Sequence, residues 1–246
     1  MLVMIFKKLY IYSLFAVRSA FRPKKISLHG VKLNIEHESI PPALRRFFYL
    51  GSYEGDEVDI LKRVLRPSDV VMEVGAGIGF LSAYCADVVG SGKVYAYEAN
   101  PNLINKIKQT YCLNNVQPEV SNVLLTDNSV GATTFYIEPS FWSSSTHRRS
   151  EAAEAIDVPN VDINQEINRV NPSFLIVDIE GGEAEFIEQI NFNDNMIQTV
   201  IIELHPHVIG NEKCSQIVAF LIKAGFSIVF NLSKAPVMLL SKESNN

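Results

Sequence analysis

The sequence contains few cysteines and no overall excess of basic residues. Its three cysteines, Cys85, Cys112 and Cys214, lie too far apart to form a disulfide framework or a zinc site. A reducing, cytoplasmic compartment is therefore expected. The formal net charge of −5 argues against nucleic acid as a partner. With 246 residues, 47% of them hydrophobic, the chain can build one α/β domain with a full core.

The N-terminal segment lacks acidic residues altogether as far as Ile35. Several of its residues are basic: Lys7, Lys8, Arg18, Arg22, Lys24 and Lys25. At helical spacing, most of these bases share one face and apolar side chains lie largely opposite. The charges interrupt the segment too often for a bilayer span, which needs about 20 apolar residues. Residues 1–25 are predicted to form an amphipathic helix that packs on its own domain, on a partner subunit or on an anionic membrane surface.

The rest of the chain alternates between strand and helix patterns. Strands are predicted over Val70–Val74, Lys93–Glu98, Val120–Leu125, Phe174–Asp178 and Thr199–His205. Helices are predicted over Phe80–Val89, Pro101–Leu113, Val161–Val170, Glu183–Ile190 and Cys214–Ala224. Apolar, β-branched runs in the strands indicate buried, mostly parallel pairing. A final strand pair, Phe226–Leu232 and Val237–Ser241, lacks an intervening helix, which indicates one antiparallel member.

These patterns predict a single Rossmann-like α/β fold. We expect a doubly wound, mostly parallel seven-stranded sheet with an antiparallel terminal strand. An N-terminal extension over residues 1–50, containing the amphipathic helix and a hairpin near residues 26–36, is expected to precede a domain over residues 51–246. Residues 126–160 form the longest stretch expected to be irregular, which is typical of a lid over an acceptor site.

A glycine-rich loop follows the first strand of this alternation. It reads Glu73-Val74-Gly75-Ala76-Gly77-Ile78-Gly79 and opens directly into a helix. Glycines let the backbone turn tightly and let a ligand approach closely. Glu98 ends the next strand, where a carboxylate can accept hydrogen bonds from both ribose hydroxyls. The predicted cofactor-binding residues are Glu73, Gly75, Ala76, Gly77, Gly79 and Glu98, with Asn122 as a contact to adenine.

Glycine loops of this kind also bind dinucleotides, so an NAD-dependent oxidoreductase is an alternative. Here the spacing is Gly-x-Gly-x-Gly, whereas the dinucleotide fingerprint is Gly-x-Gly-x-x-Gly. An acidic Glu73 beside the loop would repel a pyrophosphate but suits the cationic methionine part of S-adenosylmethionine. A purely structural glycine turn is the remaining alternative.

Six segments of the sequence, including the glycine-rich loop, resemble one protein family. They are Gly51–Glu54, Glu73–Gly79, Tyr97–Pro101, Trp142–Ser145, Val177–Glu183 and Glu203–Pro206. Together they resemble the FkbM-type family of class I S-adenosylmethionine-dependent methyltransferases, over roughly residues 50–232. The resemblance implies S-adenosylmethionine as cofactor and methyl transfer to oxygen, often on a sugar hydroxyl or a polyketide-type alcohol.

Three positions depart from that family's usual pattern. Glu73 replaces an Asp and Gly77 replaces an Asn, and both changes preserve the loop. Ile176 stands where many relatives carry Lys just before the Asp-x-Glu block. If that Lys acts on the acceptor, this protein acts differently, so a non-catalytic S-adenosylmethionine-binding module is a second alternative.

Polar residues at the ends of two later strands predict the acceptor side. Asp178 and Glu180 follow one strand, and Glu203 and His205 follow the next, at the edge where open parallel sheets bind ligands. An attacking alcohol needs a base within hydrogen-bond reach, and His205 titrates in a suitable range. We predict Asp178, Glu180 and His205 as catalytic residues acting on a small-molecule or glycan acceptor.

Other roles for this region stay open. A Mg²⁺ or Mn²⁺ ion is compatible with the four polar residues but is not expected, because carboxylates at strand ends are common without metals. Asp178 and Glu180 can instead cap the following helix, and His205 can be a turn residue before Pro206. Trp142 is a candidate for stacking on a sugar. The run His147-Arg148-Arg149 is either an anion contact or simply solvated.

Overall fold

A computed structural model describes residues 2–36, 40, 42–127, 130–138 and 144–242, with side chains described from residue 12 onward except at 42 and 43. Its α-helices are α1 (Leu2–Phe21), α2 (Pro42–Leu50), α3 (Gly55–Val64), α4 (Phe80–Val89), α5 (Pro101–Asn114), α6 (Ile163–Val170), α7 (Glu183–Glu188) and α8 (Pro206–Lys223). Its strands are β1 (Lys25–Leu28), β2 (Val31–Asn34), β3 (Val71–Val74), β4 (Val94–Tyr97), β5 (Glu119–Ser121), β6 (Leu124–Thr126), β7 (Ala132–Ile137), β8 (Glu154–Asp162), β9 (Phe174–Val177), β10 (Thr199–Glu203), β11 (Ser227–Ile228) and β12 (Val237–Ser241).

Seven strands form the central sheet in the order β11-β12-β10-β9-β3-β4-β5. Strands β10, β9, β3, β4 and β5 pair in parallel, while β12 runs antiparallel to both β10 and β11. The prediction of a mostly parallel, seven-stranded Rossmann-like sheet with an antiparallel terminal strand is confirmed. The carboxyl ends of β3, β4 and β9 lie at one edge, which is where such sheets bind ligands.

Helices cover both faces of the sheet, so its central strands are buried on both sides. All four residues of β3 and all four of β9 are buried, as expected for parallel strands with no solvent-facing side. One apolar cluster includes side chains from β1, β2, α3 and α4, and the other includes side chains from α6, α7 and α8. The alternation of strand side chains divides β3 between these clusters: Val71 packs in the first, and Met72 and Val74 in the second.

Residues 126–160 are not irregular as predicted, because they contain the antiparallel pair β7 and β8. These strands join β6 in a separate three-stranded sheet with the order β6-β8-β7. Most residues of β7 and β8 are exposed or half-buried, so the apolar alternation that marks a strand is weak in their sequence. The expected acceptor lid is therefore a β-hairpin rather than a loop.

The prediction of a single strand over Val120–Leu125 is also wrong, because Asn122 and Val123 separate two strands, β5 and β6. Strand β5 ends the central sheet, and β6 leaves it to pair with β8. The Asn122 amide nitrogen donates to the backbone carbonyls of Glu98 and Ala99, at 2.8 and 2.9 Å. These hydrogen bonds fix the chain beside the end of β4 and turn it out of the sheet.

The strand predicted over Thr199–His205 stops earlier, at Glu203. His205 instead stands at the N-terminal boundary of α8, and Pro206 is the first helical residue. Helix α8 thus begins eight residues before the predicted start at Cys214 and has a kink at Gly210, whose φ is 82°. The position of Pro206 is a helix-start signal that the weak apolar pattern of residues 206–213 concealed.

The N-terminal elements pack against the domain. The predicted hairpin is confirmed as β1 and β2, and its apolar face joins the core beside α4. Helix α1 lies against α2, where the Arg18 guanidinium donates to the carbonyls of Phe48 and Tyr49 at 3.1 Å. Arg18 therefore points inward, although Tyr12, Val17 and Phe21 are exposed. Membrane contact through residues 1–25 and the domain boundary at residue 50 stay predictions.

No helix in the described part of the chain combines the length and the apolar character that a bilayer crossing requires.

Gly75 lies where the glycine-rich loop after β3 closely approaches the backbone at the end of strand β9. Its φ is 91°, and a Cβ atom placed on it would lie 1.7 Å from the carbonyl oxygen of Asp178. No side chain fits there without moving one of the two backbones. Gly79 has a milder restriction, since a Cβ would meet Ile107 of α5 at 3.0 Å.

Gly75→Ala is expected to destabilise the protein by more than 2 kcal/mol, because it adds a backbone collision to the strain of a positive φ. Gly90 is a matched control: its φ is 89°, but a Cβ there would meet nothing within 4 Å. Thermal or urea unfolding of Gly75→Ala and Gly90→Ala separates the effect of the backbone collision from that of the positive φ. Equal destabilisation of the two variants would contradict the close approach at Gly75.

Candidate active site

A cavity of about 420 Å³ opens at the carboxyl edge of the central sheet. Its volume lies within the range of small-molecule sites. The β6–β8–β7 sheet contributes residues such as Thr133 and Phe135 on one side, and the helix α7 contributes Glu185 and Phe186 on another. Gly75 and Gly77 of the loop and Asp178 of the β9 end line the same space. Two groups of predicted site residues therefore meet in one cavity.

Hydrogen bonds to the end of β4 hold the glycine loop. The backbone N–H groups of Gly75 and Ala76 both donate to the carbonyl oxygen of Tyr97, at 2.9 and 3.1 Å. The Gly77 N–H donates to Glu98 Oε2 at 2.8 Å. Gly79 then packs on α5 as the residue before helix α4. The predicted loop residues are thus brought together, with Gly75 and Gly77 facing the cavity.

Glu98 joins the loop to the start of helix α5. Its second oxygen, Oε1, accepts from the Asn100 N–H at 2.8 Å, and its side chain lines the cavity although the residue is only 7% exposed. Burial raises the pKa of Glu98 to about 7, and backbone hydrogen bonds from Asn100, Gly77 and Ala99 partly oppose that rise. A carboxylate has about four lone-pair sites, so it can also accept a hydrogen bond from a ligand hydroxyl, and the ribose contact of Glu98 stays a prediction.

Glu73 does not belong to the cavity wall. It is 2% exposed and lies behind the loop, where its carboxyl group accepts hydrogen bonds from Ser82 of α4. Its Oε2 has no hydrogen-bond partner among the described residues. Ile176 is its partner in the pairing of β3 with β9 and is itself buried, so neither residue lines the cavity. The expected direct contact of Glu73 with the cationic part of the cofactor is not seen in this geometry, and its role in cofactor binding stays a prediction.

The predicted acceptor residues converge at the ends of β9 and β10. Asp178 and Glu180 line the cavity, while His205 lies behind them and is 4% exposed. The His205 Nε2 atom lies 3.6 Å from Asp178 Oδ1 and 3.7 Å from Glu180 Oε2. Glu203 completes the set: one ligand atom each from Asp178, Glu203 and His205 lie within 4.8 Å of one another.

Burial and mutual repulsion act on the acids of this wall. Burial first, and then the negative charges of Glu203 and Glu54, raise the pKa of Asp178 well above its ordinary value. Burial also raises the pKa of Glu180, although His205 and Arg149 oppose that shift. The wall therefore favours either protons or a positively charged ligand.

His205 is held in one orientation by a buried carboxylate. Its Nδ1 lies 2.7 Å from Glu183 Oε1, and Glu183 is fully buried. Burial alone would lower the pKa of His205, but the Glu183 hydrogen bond and the charges of Glu183, Glu180 and Glu203 raise it above 6.5. Since a carboxylate only accepts hydrogen bonds, Nδ1 carries the proton and Nε2 faces Asp178 and Glu180.

Two acidic residues of the site were missed as functional candidates. Glu54 lines the cavity beside Tyr53 with a left-handed φ of 47°, a conformation that costs a non-glycine residue energy. Glu183 orients His205 from the first turn of α7. Both lie within segments that resemble the family, which was the available signal, but their distance from the strand ends concealed their roles.

Both arginines of the basic run between β7 and β8 make contacts with neighbouring protein groups. Arg149 donates to the Glu180 carbonyl and forms an ion pair with the Glu180 carboxylate at 3.5 Å. Arg148 donates to the backbone carbonyls of Ser150 and Glu151. Only His147 of this run lines the cavity. Trp142, the candidate for stacking on a sugar, lies outside the described residues.

Glu73→Gln is expected to be more stable than wild type, by a difference in the free energy of unfolding that grows as the pH rises from about 5 to 8. Burial raises the pKa of Glu73 from 4.5 to about 8, with Glu98 adding to the rise and Ser82 opposing it. In this window the folded state keeps a proton that the unfolded state has released. Stability therefore falls as pH rises, by up to about 1.4 kcal/mol per pH unit, and glutamine removes that dependence. The same buried region contains the titratable neighbours Glu98, Cys85, Tyr111, Tyr53 and Glu54.

Thermal unfolding of both proteins at several pH values measures this difference. Glu212→Gln, an exposed position on α8, serves as the control and should show a difference that does not change with pH. A constant difference for Glu73→Gln as well would mean that Glu73 is already ionised in the fold.

The chain is similar to several solved methyltransferase structures, at low sequence identity. The ribosomal protein L11 methylase from Lactobacillus delbrueckii subsp. bulgaricus is 14% identical, with a TM-score of 0.45 over 76% of this chain and 77% of that one. A methyltransferase from Pyrococcus furiosus is also 14% identical, with a TM-score of 0.46 over 96% and 98%. M. jannaschii TYW2 in complex with AdoMet is 14% identical, with a TM-score of 0.44 over 88% and 82%. At these identities and TM-scores, none of these structures indicates which acceptor this chain methylates. None of the curated proteins matches the sequence.

The assignment therefore rests on the sequence profile of a family. The profile described as the methyltransferase FkbM domain matches residues 73–228, well over half of the chain. The match contains the glycine loop, Glu98, the Asp178–Glu183 block and His205. Such enzymes use S-adenosylmethionine, the cofactor that the carboxylate-flanked loop predicts. The chain belongs to the FkbM methyltransferase domain family and is a methyltransferase.

Proposed function

We propose that the protein transfers a methyl group from S-adenosylmethionine to a hydroxyl oxygen of an uncharged small-molecule or glycan acceptor. One observation carries this proposal: the glycine loop with Glu98 and the acidic wall with Asp178 and Glu180 line the same cavity. A cofactor on the loop would therefore present its reactive end to the wall. The family supports methyl transfer, and the cavity chemistry supports the choice of acceptor.

The charges that line the cavity disfavour an anionic acceptor. The carboxyl groups are those of Glu54, Glu98, Asp178, Glu180 and Glu185, and the described lining residues include no lysine or arginine. A phosphate or carboxylate placed there would meet like charges in a partly desolvated space, which is costly. The cationic sulfonium of the cofactor is attracted by the same field.

Hydroxyl groups on the lid side suit an acceptor that carries several hydroxyls. Thr133, Ser144, Ser145 and Thr146 line the cavity from the β6–β8–β7 sheet and its connection. A serine or threonine hydroxyl can both donate and accept a hydrogen bond, as a sugar hydroxyl does. Phe135 in the same wall offers an apolar surface of the kind that packs on sugar rings.

The acceptor proton would pass to the acidic wall. An alcohol attacking the methyl carbon loses its proton as the new C–O bond forms and the bond from carbon to sulfur breaks. Asp178 lines the cavity, and Glu180 lines it beside Asp178. The Asp178 carboxyl group can hydrogen-bond the incoming hydroxyl. Alignment of oxygen, carbon and sulfur supplies the rest of the catalysis.

Glu98→Ala is expected to weaken S-adenosylmethionine binding by about 1–3 kcal/mol, because it removes a charge-assisted pair of hydrogen bonds to the ribose. Isothermal titration calorimetry measures the affinity, and Glu119→Ala, an exposed residue on the neighbouring strand β5, is the control. Unchanged affinity in Glu98→Ala would rule out the ribose contact. Tight NAD binding by wild type without S-adenosylmethionine binding would favour an oxidoreductase instead.

Wild type is expected to transfer labelled methyl from S-adenosylmethionine to hydroxyls in a panel of sugars, glycans and alcohols, giving an ether product. Asp178→Asn should lower kcat by about 10²- to 10⁴-fold, the usual effect of losing a positioned base. Asp87→Asn, at an exposed position on α4, is the matched control and should keep wild-type kcat. Cofactor binding without transfer to any acceptor would indicate a non-catalytic binding module.

A further inference from the structure

Three side chains at the ends of neighbouring strands form a compact set of oxygen and nitrogen donors. Asp178 follows β9, and Glu203 and His205 stand at the end of β10, which pairs in parallel with β9. One ligand atom from each lies within 4.8 Å of the other two. Donors bound to a single ion at about 2.1 Å lie roughly 3–4 Å apart, so this spacing needs little adjustment.

The distance between His205 and Asp178 in this set is too long for a hydrogen bond. His205 Nε2 lies 3.6 Å from Asp178 Oδ1, whereas a hydrogen bond of this type spans about 2.7–3.2 Å. Asp178 Oδ1 is inaccessible to solvent and has no hydrogen-bond partner among the described residues. A buried carboxylate oxygen without a donor is costly, which indicates a partner other than a protein side chain.

Glu183 prepares His205 for coordination through Nε2. It lies 2.7 Å from the Nδ1 atom of His205, is fully buried, and accepts the Gly181 N–H at 2.8 Å as well. Metal-binding histidines usually donate their second ring N–H to such a carboxylate, which fixes the tautomer and the ring orientation. The remaining nitrogen, Nε2, faces Asp178 and presents a lone pair to an ion when the ring is neutral.

Negative charge around the set exceeds the positive charge that the described residues supply. Glu54, Glu57 and Glu180 lie near Asp178, and their negative charges disfavour its ionised form. Arg149 is paired with Glu180, and Lys234 is paired with Asp56. A divalent cation would offset the repulsion among these acids more effectively than these two ion pairs do.

We propose that Asp178, Glu203 and His205 bind a divalent metal ion, with Glu183 as the positioning residue for the histidine. One imidazole and two carboxylates suit Mn²⁺ or a similar first-row ion. This metal site would add to the proposed function, because Asp178 belongs both to this set and to the cavity wall. Its role in catalysis rests on that proposed function. An ion there would favour ionisation of an acceptor hydroxyl bound beside it. Glu180, outside the set, would be the carboxylate left to accept the proton.

Direct Mn²⁺ binding tests the site without an activity assay. Full-length protein is treated with EDTA, exchanged into buffer and titrated with Mn²⁺ alone, with free Mn²⁺ followed by electron paramagnetic resonance. About one ion per chain is expected for wild type. Glu203→Gln and His205→Gln should each weaken binding at least tenfold, with circular dichroism and thermal unfolding confirming that each variant is folded.

Glu57→Gln is the matched control, because Glu57 is a buried acid of the same negative patch but not of the donor set. It should keep Mn²⁺ affinity within about threefold. An equal loss in Glu57→Gln and Glu203→Gln would show diffuse electrostatic attraction and overturn the site, as would the absence of Mn²⁺ binding by wild type at millimolar concentration.

Calorimetry with S-adenosylmethionine separates this result from the proposed function. A wild-type protein that binds and uses the cofactor but not Mn²⁺ would overturn the metal site alone. A protein that binds one Mn²⁺ through the three residues but methylates no hydroxyl would support the site and contradict the proposed acceptor class.

Discussion

The contact between Gly75 and the backbone of Asp178 is the constraint on which the site depends. It brings the cofactor loop after β3 against the end of β9, so that the loop and the acidic wall enclose one space. Only glycine fits, since a Cβ would lie 1.7 Å from the Asp178 carbonyl oxygen. Parallel pairing of β3 with β9 places the two strand ends side by side, with Val74 opposite Val177.

A second constraint is the number of carboxyl groups that this arrangement removes from water. Desolvation favours their neutral forms, and neighbouring acids raise one another's pKa, as at Asp178. The structure compensates locally through Arg149 on Glu180 and through the hydrogen bond from His205 to Glu183. Glu73 shows a related effect in the core. Burial raises the pKa of Glu73 to about 8, and Ile176, its register partner, offers no positive charge to oppose that rise.

The parts of the fold that depend on local pattern could be predicted from the sequence. Gly75, Gly77 and Gly79 stand at fixed spacing between a β-branched strand and an apolar helix, so the loop and its neighbours were placed correctly. The buried runs of β9 and β10 predicted the parallel sheet for the same reason. The hairpin β7–β8 was missed because its residues are largely exposed and carry little apolar alternation.

The remaining errors concern contacts between residues far apart in sequence. Asn122 ends β5 through bonds to Glu98 and Ala99, 24 and 23 residues away, which no local pattern encodes. Glu54 reaches the cavity from a segment before the sheet begins, and Glu183 reaches His205 across 22 residues. Residue types and strand ends therefore predicted that the glycine loop and the acids after β9 lie at one edge of the sheet. The positions of Glu54, Glu73 and Glu183 required the tertiary structure.

The absence of lysine and arginine among the described residues that line the cavity has a consequence for the order of events in a turnover. The attraction between the acidic lining and the cofactor depends on the sulfonium charge, which disappears once the methyl group has left. The spent cofactor is a neutral thioether and loses that attraction, while the lining acids again repel one another. The acidic lining would therefore attract the charged cofactor more strongly than the by-product.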